Sequence, residues 1–183
     1  MIPVARRLKE LSATQQSGQT ALVFSPHIEF NQTLPTYAPQ GTLLGMGSVD
    51  FGSASNDERK EFLFTHLYYS GVTPERLRDI LKGLPDQLPL SYYVKYVIFG
   101  HERVRPVFSL DFKPISEAEK ENAVSEYADF VRAWSASAVT RRPIMYAVAN
   151  DTFDFSIVDR WYQRDGGERV GDYVLFRLTP RSQ

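Results

Sequence analysis

Apolar positions recur along the chain in two rhythms, one helical and one continuous. Over 4–16, Val4, Leu8 and Leu11 fall at helical spacing with Arg6, Arg7, Lys9 and Glu10 between them, which predicts a short amphipathic helix. Ser17-Gly18-Gln19-Thr20 breaks that pattern. Ala21-Leu22-Val23-Phe24-Ser25, closed by Pro26, then reads as a buried strand. The stretch around Pro35, Pro39 and Gly41 reads as turns, and a second short strand is expected over 42–46.

Helix signals follow. Ser55 with Glu58 three residues on forms a capping-box pattern ahead of Phe62, Leu63, His66, Leu67 and Tyr69, with Gly71 as the stop. Thr73-Pro74-Glu75 opens another helix, which would bury Leu77, Ile80, Leu81 and Leu84. Tyr92 to Phe99, closed by Gly100, reads as the strongest strand. Residues 115–136, entered through Ser116-Glu117-Ala118-Glu119 and lined by Ala123, Tyr127, Phe130, Val131 and Trp134, read as the longest helix. Ile144 to Ala149 is a buried strand. Ser156 caps a short helix through Trp161-Tyr162, Asp165-Gly166-Gly167 turns, and Tyr173 to Leu178 is the last strand.

Continuous apolar strands separated by helices predict an α/β fold, a Rossmann-like three-layer sandwich with helices on both faces of the sheet. The sheet would be mainly parallel, with about five strands over 21–25, 42–46, 93–99, 144–149 and 173–178. The last, alternating Val174, Phe176 and Leu178 with Leu175 and Arg177, is expected as an antiparallel edge strand. Residues 1–19 would be an N-terminal helix or linker, and 20–183 a single domain.

Composition narrows function by exclusion. The 183 residues carry 21 Lys+Arg against 22 Asp+Glu, so the basic surplus of a nucleic-acid binder is missing. With no cysteine there are no disulfides, thiolate metal sites or Cys nucleophile. No apolar run approaches the roughly 18 residues of a bilayer span, and the N-terminus has no signal-peptide pattern. No cofactor motif is present: Gly45-x-Gly47 lacks a third glycine, and neither GxxxxGK[ST] nor GxSxG occurs.

In open α/β sheets ligands bind beyond the carboxyl ends of the strands. On the expected topology those ends bring forward His27 and Glu29, Asp50, His101 with Glu102 and Arg103, and Asp151. Were the first and third parallel strands adjacent, His27 and His101 would approach as an acid–base pair or, with carboxylates, as a metal site. Polar residues also end strands for purely structural reasons. Arg103 and Arg105 would suit a sugar phosphate or carboxylate, or simply a solvated loop. His66, on an aromatic helix face, reads as structural. Asn31-Gln32-Thr33 and Asn150-Asp151-Thr152 match the glycosylation sequon.

Taken in order, ALVFSP, the Leu-Pro-Thr-Tyr segment within Asn31–Tyr37, Gly45-Met46-Gly47-Ser48, the Asn-Asp-Glu-Arg-Lys-Glu-Phe-Leu helix running into Leu67–Val72, Tyr96–Gly100 with Glu102-Arg103, and Asp172–Arg177 form a series. That series resembles the soluble extracytoplasmic C-terminal domain of bacterial polytopic membrane proteins of the glycosyltransferase C type, and of related multi-spanning proteins. The resemblance covers 20–178. It implies a non-catalytic accessory domain at the extracytoplasmic face of the inner membrane, joined to a membrane-embedded portion or partner, that positions a glycan or lipid-linked sugar. The transferases' catalytic carboxylates lie in membrane loops, so no catalytic residue carries over. The alternative is a small stand-alone enzyme or ligand-binding protein, cytoplasmic if free-standing, that uses the strand-end crevice around His27 and His101.

Overall fold

The computed structural model describes residues 1–13, 21–44, 55–83, 88–104 and 112–182. The chain forms two compact units, Met1–Gly52 with Ser135–Gln183, and Ser53–Trp134. The first holds the sheet and the second is helical.

In the sheet unit, helix α1 (Ile2–Ala13) begins two residues earlier than the apolar spacing suggests. It belongs to the core: Val4, Ala5 and Leu8 are buried to 1% exposure or less. They pack with Val23 of β1 (Leu22–Phe24), Phe30 and Leu34 of α2 (Ile28–Tyr37), Tyr146 and Val148 of β3 (Ile144–Ala149), and Leu175 of β6 (Tyr173–Pro180). The other sheet face carries Phe24 and Phe176, against which Phe153 and Phe155 pack at 5.7 and 5.1 Å between ring centroids, leading into α8 (Ser156–Trp161). A short α7 (Ala136–Arg141) precedes β3.

The strand order is β2-β1-β3-β6-β4, with β5 (Glu168–Val170) also beside β6; β2 is Gly41–Thr42 and β4 is Tyr162–Arg164. β1 runs parallel to β2 and β3, whereas β6 runs antiparallel to β3, β4 and β5. The result is an α/β domain with a mixed sheet flanked by helices, broadly Rossmann-like only around β1. The antiparallel share comes from the chain's end. Gly171, with φ +63°, and Asp172 make the two-residue connection that pairs Val170 with Tyr173. β6 is antiparallel as expected but is no edge: its first half lies between β3 and β5, and its second half pairs with β4.

Two further expectations change in this unit. The Pro35 segment is not a turn but the last part of α2, which takes the proline at the cost of the one backbone bond that an N–H there would give to Asn31 O. At α8, the side chain of Asp154 does the capping, accepting from Ser156 N–H at 2.9 Å and from Ser156 Oγ at 3.1 Å.

The helical unit comprises α3 (Asn56–Tyr69), α4 (Pro74–Lys82), α5 (Leu88–Phe99), a 3₁₀ turn at His101–Arg103 and α6 (Glu117–Ala133). Its helix starts follow the sequence signals, whereas the second helix stops short of Leu84, which the apolar spacing counts into it and which lies outside the described residues. Capping boxes close Ser55/Glu58 and Ser116/Glu119, Thr73 caps α4 ahead of Pro74, and Gly83 ends α4 at φ +79°. The major correction is α5: the apolar run 92–99 is helix, not strand. Phe64, Tyr127, Phe130 and Trp134 form a continuous aromatic seam with centroid separations of 5.1–5.5 Å between successive contacts. Tyr127 also donates its hydroxyl to Val72 O at 2.7 Å. Arg78 forks onto both oxygens of Glu121 at 2.7 and 3.0 Å, joining α4 to α6.

Candidate functional site

Among the described residues, the expected strand-end feature that the structure develops lies where β1 gives way to α2. Ser25 ends the strand fully buried, and Pro26 prevents its continuation. Ser25 Oγ accepts from His27 N–H at 3.3 Å, and Asn31 Nδ2 donates to Ser25 O at 2.8 Å. These bonds fold the chain from strand to helix at His27, the N-cap, whose side chain makes no capping bond.

Among the described residues, two polar atoms at this turn have no hydrogen-bond partner although both are shielded from solvent: His27 Nε2 and Asn31 Oδ1. Asn31 is fully buried on α2. The imidazole meets the Tyr173 ring edge-on at 5.4 Å. Burial lowers the His27 pKa below 6.5 and the Glu29 carboxylate opposes only part of that shift, so the ring is neutral at pH 7. A neutral imidazole offers one donor and one acceptor, and Asn31 Oδ1 offers an acceptor. Leaving such atoms unmet in a folded interior costs about 1–3 kcal/mol each.

β3 lies beside β1 in parallel, so Asn150-Asp151-Thr152 emerges at the same sheet edge. There Thr152 Oγ1 donates to Asn150 Oδ1 at 3.0 Å, and Asp151 is engaged by Arg169 at 2.5 Å in an exposed ion pair. Tyr173, at the start of β6, reaches this edge because Val174 pairs with Ala149.

The remaining expected residues fare differently. Glu29 sits in the first turn of α2. Asp50, together with Gly45, Gly47 and Arg105, lies outside the described residues. His101, Glu102 and Arg103 belong to the 3₁₀ turn of the helical unit, so the sheet argument that paired His101 with His27 has no strand to stand on. Arg103 is committed to structure: it donates to Lys113 O at 2.8 Å, to Pro114 O at 3.2 Å and to both Glu119 oxygens at 2.9 and 3.0 Å. His66 is 2% exposed with Nε2 3.4 Å from Ser70 Oγ, in keeping with a structural histidine.

Sequence reasoning took Asn31 only as a sequon, yet its amide is buried and pinned to the β1 turn. Its place between Phe30 and Leu34, one helical turn after His27, was the available signal. Tyr173 was legible only as a strand residue. Among the described residues no group of His, Asp and Glu converges as a metal site, and no helix is long and apolar enough to cross a membrane.

Comparison with protein families, curated proteins and solved structures finds no match to this chain. The resemblance to glycosyltransferase C-type domains therefore rests on the motifs that carry it.

Proposed function

We propose that the chain is a ligand-binding α/β protein whose site is the sheet edge at the β1–α2 turn, and that the ligand is a neutral polyhydroxyl compound such as a sugar unit. The observation that carries this reading is the pair of buried atoms at one turn, His27 Nε2 and Asn31 Oδ1, that have no partner among the described residues. Ligand hydroxyls donate and accept, so one seated on the part-exposed His27 would meet its ring nitrogen while the buried Asn31 holds the turn, and the Tyr173 ring beside His27 offers an apolar face for a sugar's C–H groups. The site's neutral imidazole favours an uncharged ligand over a strong anion. Within this reading, the glycan or lipid-linked sugar implied by the resemblance would be held here, with a membrane-embedded portion or partner supplying any chemistry.

The test is chemical-shift mapping of the full chain against a panel of mono- and disaccharides, with His27→Phe and Tyr173→Ala as variants. A binding saccharide should shift the resonances of 25–31 and lose affinity about tenfold in His27→Phe, the effect of one hydrogen bond of ordinary buried strength. Absence of binding across the panel, or equal affinity in His27→Phe, would overturn the reading.

A further inference from the structure

The helical unit carries a separate feature, independent of the β1 turn. A cavity of about 370 Å³ opens between α4, α5 and the segment entering α6. Its basic side is Lys82, Lys95, Arg103 and Lys120, and among the described residues no Asp or Glu lines it. Two of those cations are already spent: Arg103 on Glu119 and two carbonyls, and Lys120 on Glu117 at 2.6 Å. Lys95 and Lys82 have no ion-pair partner among the described residues. The opposite side is apolar, built from Val104, Ile115 and the ring of Tyr92.

Lys95 is the telling residue. It stands alone in an apolar helix, half-buried, with burial and the Lys120 charge lowering its pKa and Glu117 only partly offsetting them. A lysine held in that setting without a counter-ion is destabilised, and a bound anion would relieve it. Gly83 lets both polar groups close on its backbone: a Cβ there would stand 3.2 Å from Lys95 Nζ and 3.4 Å from Ser91 Oγ. An ammonium and a hydroxyl thus converge on the same glycine surface, so an oxygen-rich group in the cavity can meet both.

We infer that this cavity binds an organic phosphomonoester, the phosphate resting on Lys95 and Lys82 beside Ser91 and the organic group lying against Tyr92 and Ile115. Lysine serves as a point-charge phosphate binder, and the cavity's size falls within the range of small-ligand sites. The phosphoryl group could be presented by a soluble metabolite or by a lipid headgroup, since the chemistry recognised is the same.

The experiment titrates the full chain with phenyl phosphate, with inorganic phosphate, and with phosphatidylcholine vesicles with and without phosphatidic acid, by calorimetry at low ionic strength. Phenyl phosphate is expected to bind more tightly than inorganic phosphate because of the apolar side. Lys95→Gln should weaken it about tenfold or more, and Lys95→Arg should retain most of the affinity. Lys82→Gln, at an exposed helix end, provides a second variant whose folding is not in question. Lys95-dependent binding of phenyl phosphate assigns a soluble ligand. Lys95-dependent binding confined to phosphatidic acid vesicles assigns a headgroup. The inference is overturned if neither probe binds, or if Lys95→Gln and Lys82→Gln both bind like the unmodified chain.

Discussion

Lowering the pH should weaken the helical unit through His66. This side chain is buried on α3 with Ser70 Oγ 3.4 Å from Nε2, and burial holds its pKa down to about 3 against an ordinary 6.5. The folded state therefore keeps the ring neutral over a range in which the unfolded chain protonates it. Because the folded pKa is the lower one, the associated stability is intact above pH 6.5 and is lost as pH falls toward 3. Each pH unit below 6.5 removes about 1.4 kcal/mol, so moving from about pH 7.5 to about pH 5 should cost about 2 kcal/mol.

Urea unfolding can read this. Trp134 lies against Tyr68 and Tyr69 at 4.9 and 5.5 Å, so with Trp161 replaced by Phe its fluorescence reports on the helical unit. The comparison is the change in stability between the two pH values in this background and in the same background with His66→Gln. His27, whose pKa is also lowered, contributes equally to both and cancels. The His66→Gln chain should lose about 2 kcal/mol less on acidification. Parallel pH dependences, or an imidazole resonance of His66 titrating near 6.5 in the folded protein, would refute the burial argument.

Three shorter predictions test other contacts. Gly167→Ala should destabilise by about 2–3 kcal/mol, because φ is +70° and the new Cβ would lie 2.5 Å from Phe176 Cε1, whereas Gly166→Ala, with nothing within 4 Å, should stay within about 0.5 kcal/mol; thermal melts of the pair decide it. Tyr127→Phe removes the donor to Val72 O and should cost about 1 kcal/mol in chemical denaturation while leaving the aromatic seam intact. Glu119 is held at about 2 by the Ser116 backbone N–H, the Ser116 hydroxyl and then Arg103; carboxyl NMR titration should show that pKa rising in both Ser116→Ala and Arg103→Ala, yet staying below 4.5 in each because the backbone bond survives.

Local signals in the sequence held at the helix starts of the helical unit, though not at Ser156, whose expected capping falls to Asp154. Ser55, Thr73 and Ser116 mark helix starts because a cap satisfies backbone groups within a few residues. The segment 92–99 failed because an apolar run carries no period: Tyr-Tyr-Val-Lys-Tyr-Val-Ile-Phe suits a buried strand and a buried helix equally. Length was the arbiter. Counted from Leu88-Pro89, with proline in a first turn, the element is twelve residues, beyond an ordinary strand. Pro35 misled in the opposite sense, since a proline near a helix end resembles one in a turn.

The misread helix also accounts for how the candidate sites divided. A strand over 92–99 would have placed His101 at the sheet edge with His27, and that pairing was the whole basis for expecting acid–base or metal chemistry there. As a helix, the same segment instead sets Lys95 and Ser91 against Gly83, a convergence that strand periodicity would have split across the spacing of the run. What remains at the sheet edge depends on a different logic. Asn31 is useful there only because α2 turns it back onto Ser25, and nothing in a Pro-containing, turn-like segment announces that contact. Both candidate sites thus hang on the two helices hardest to read from pattern alone. Their polar residues sit in apolar company, so a stray Asn or Lys inside such a run was the signal to follow.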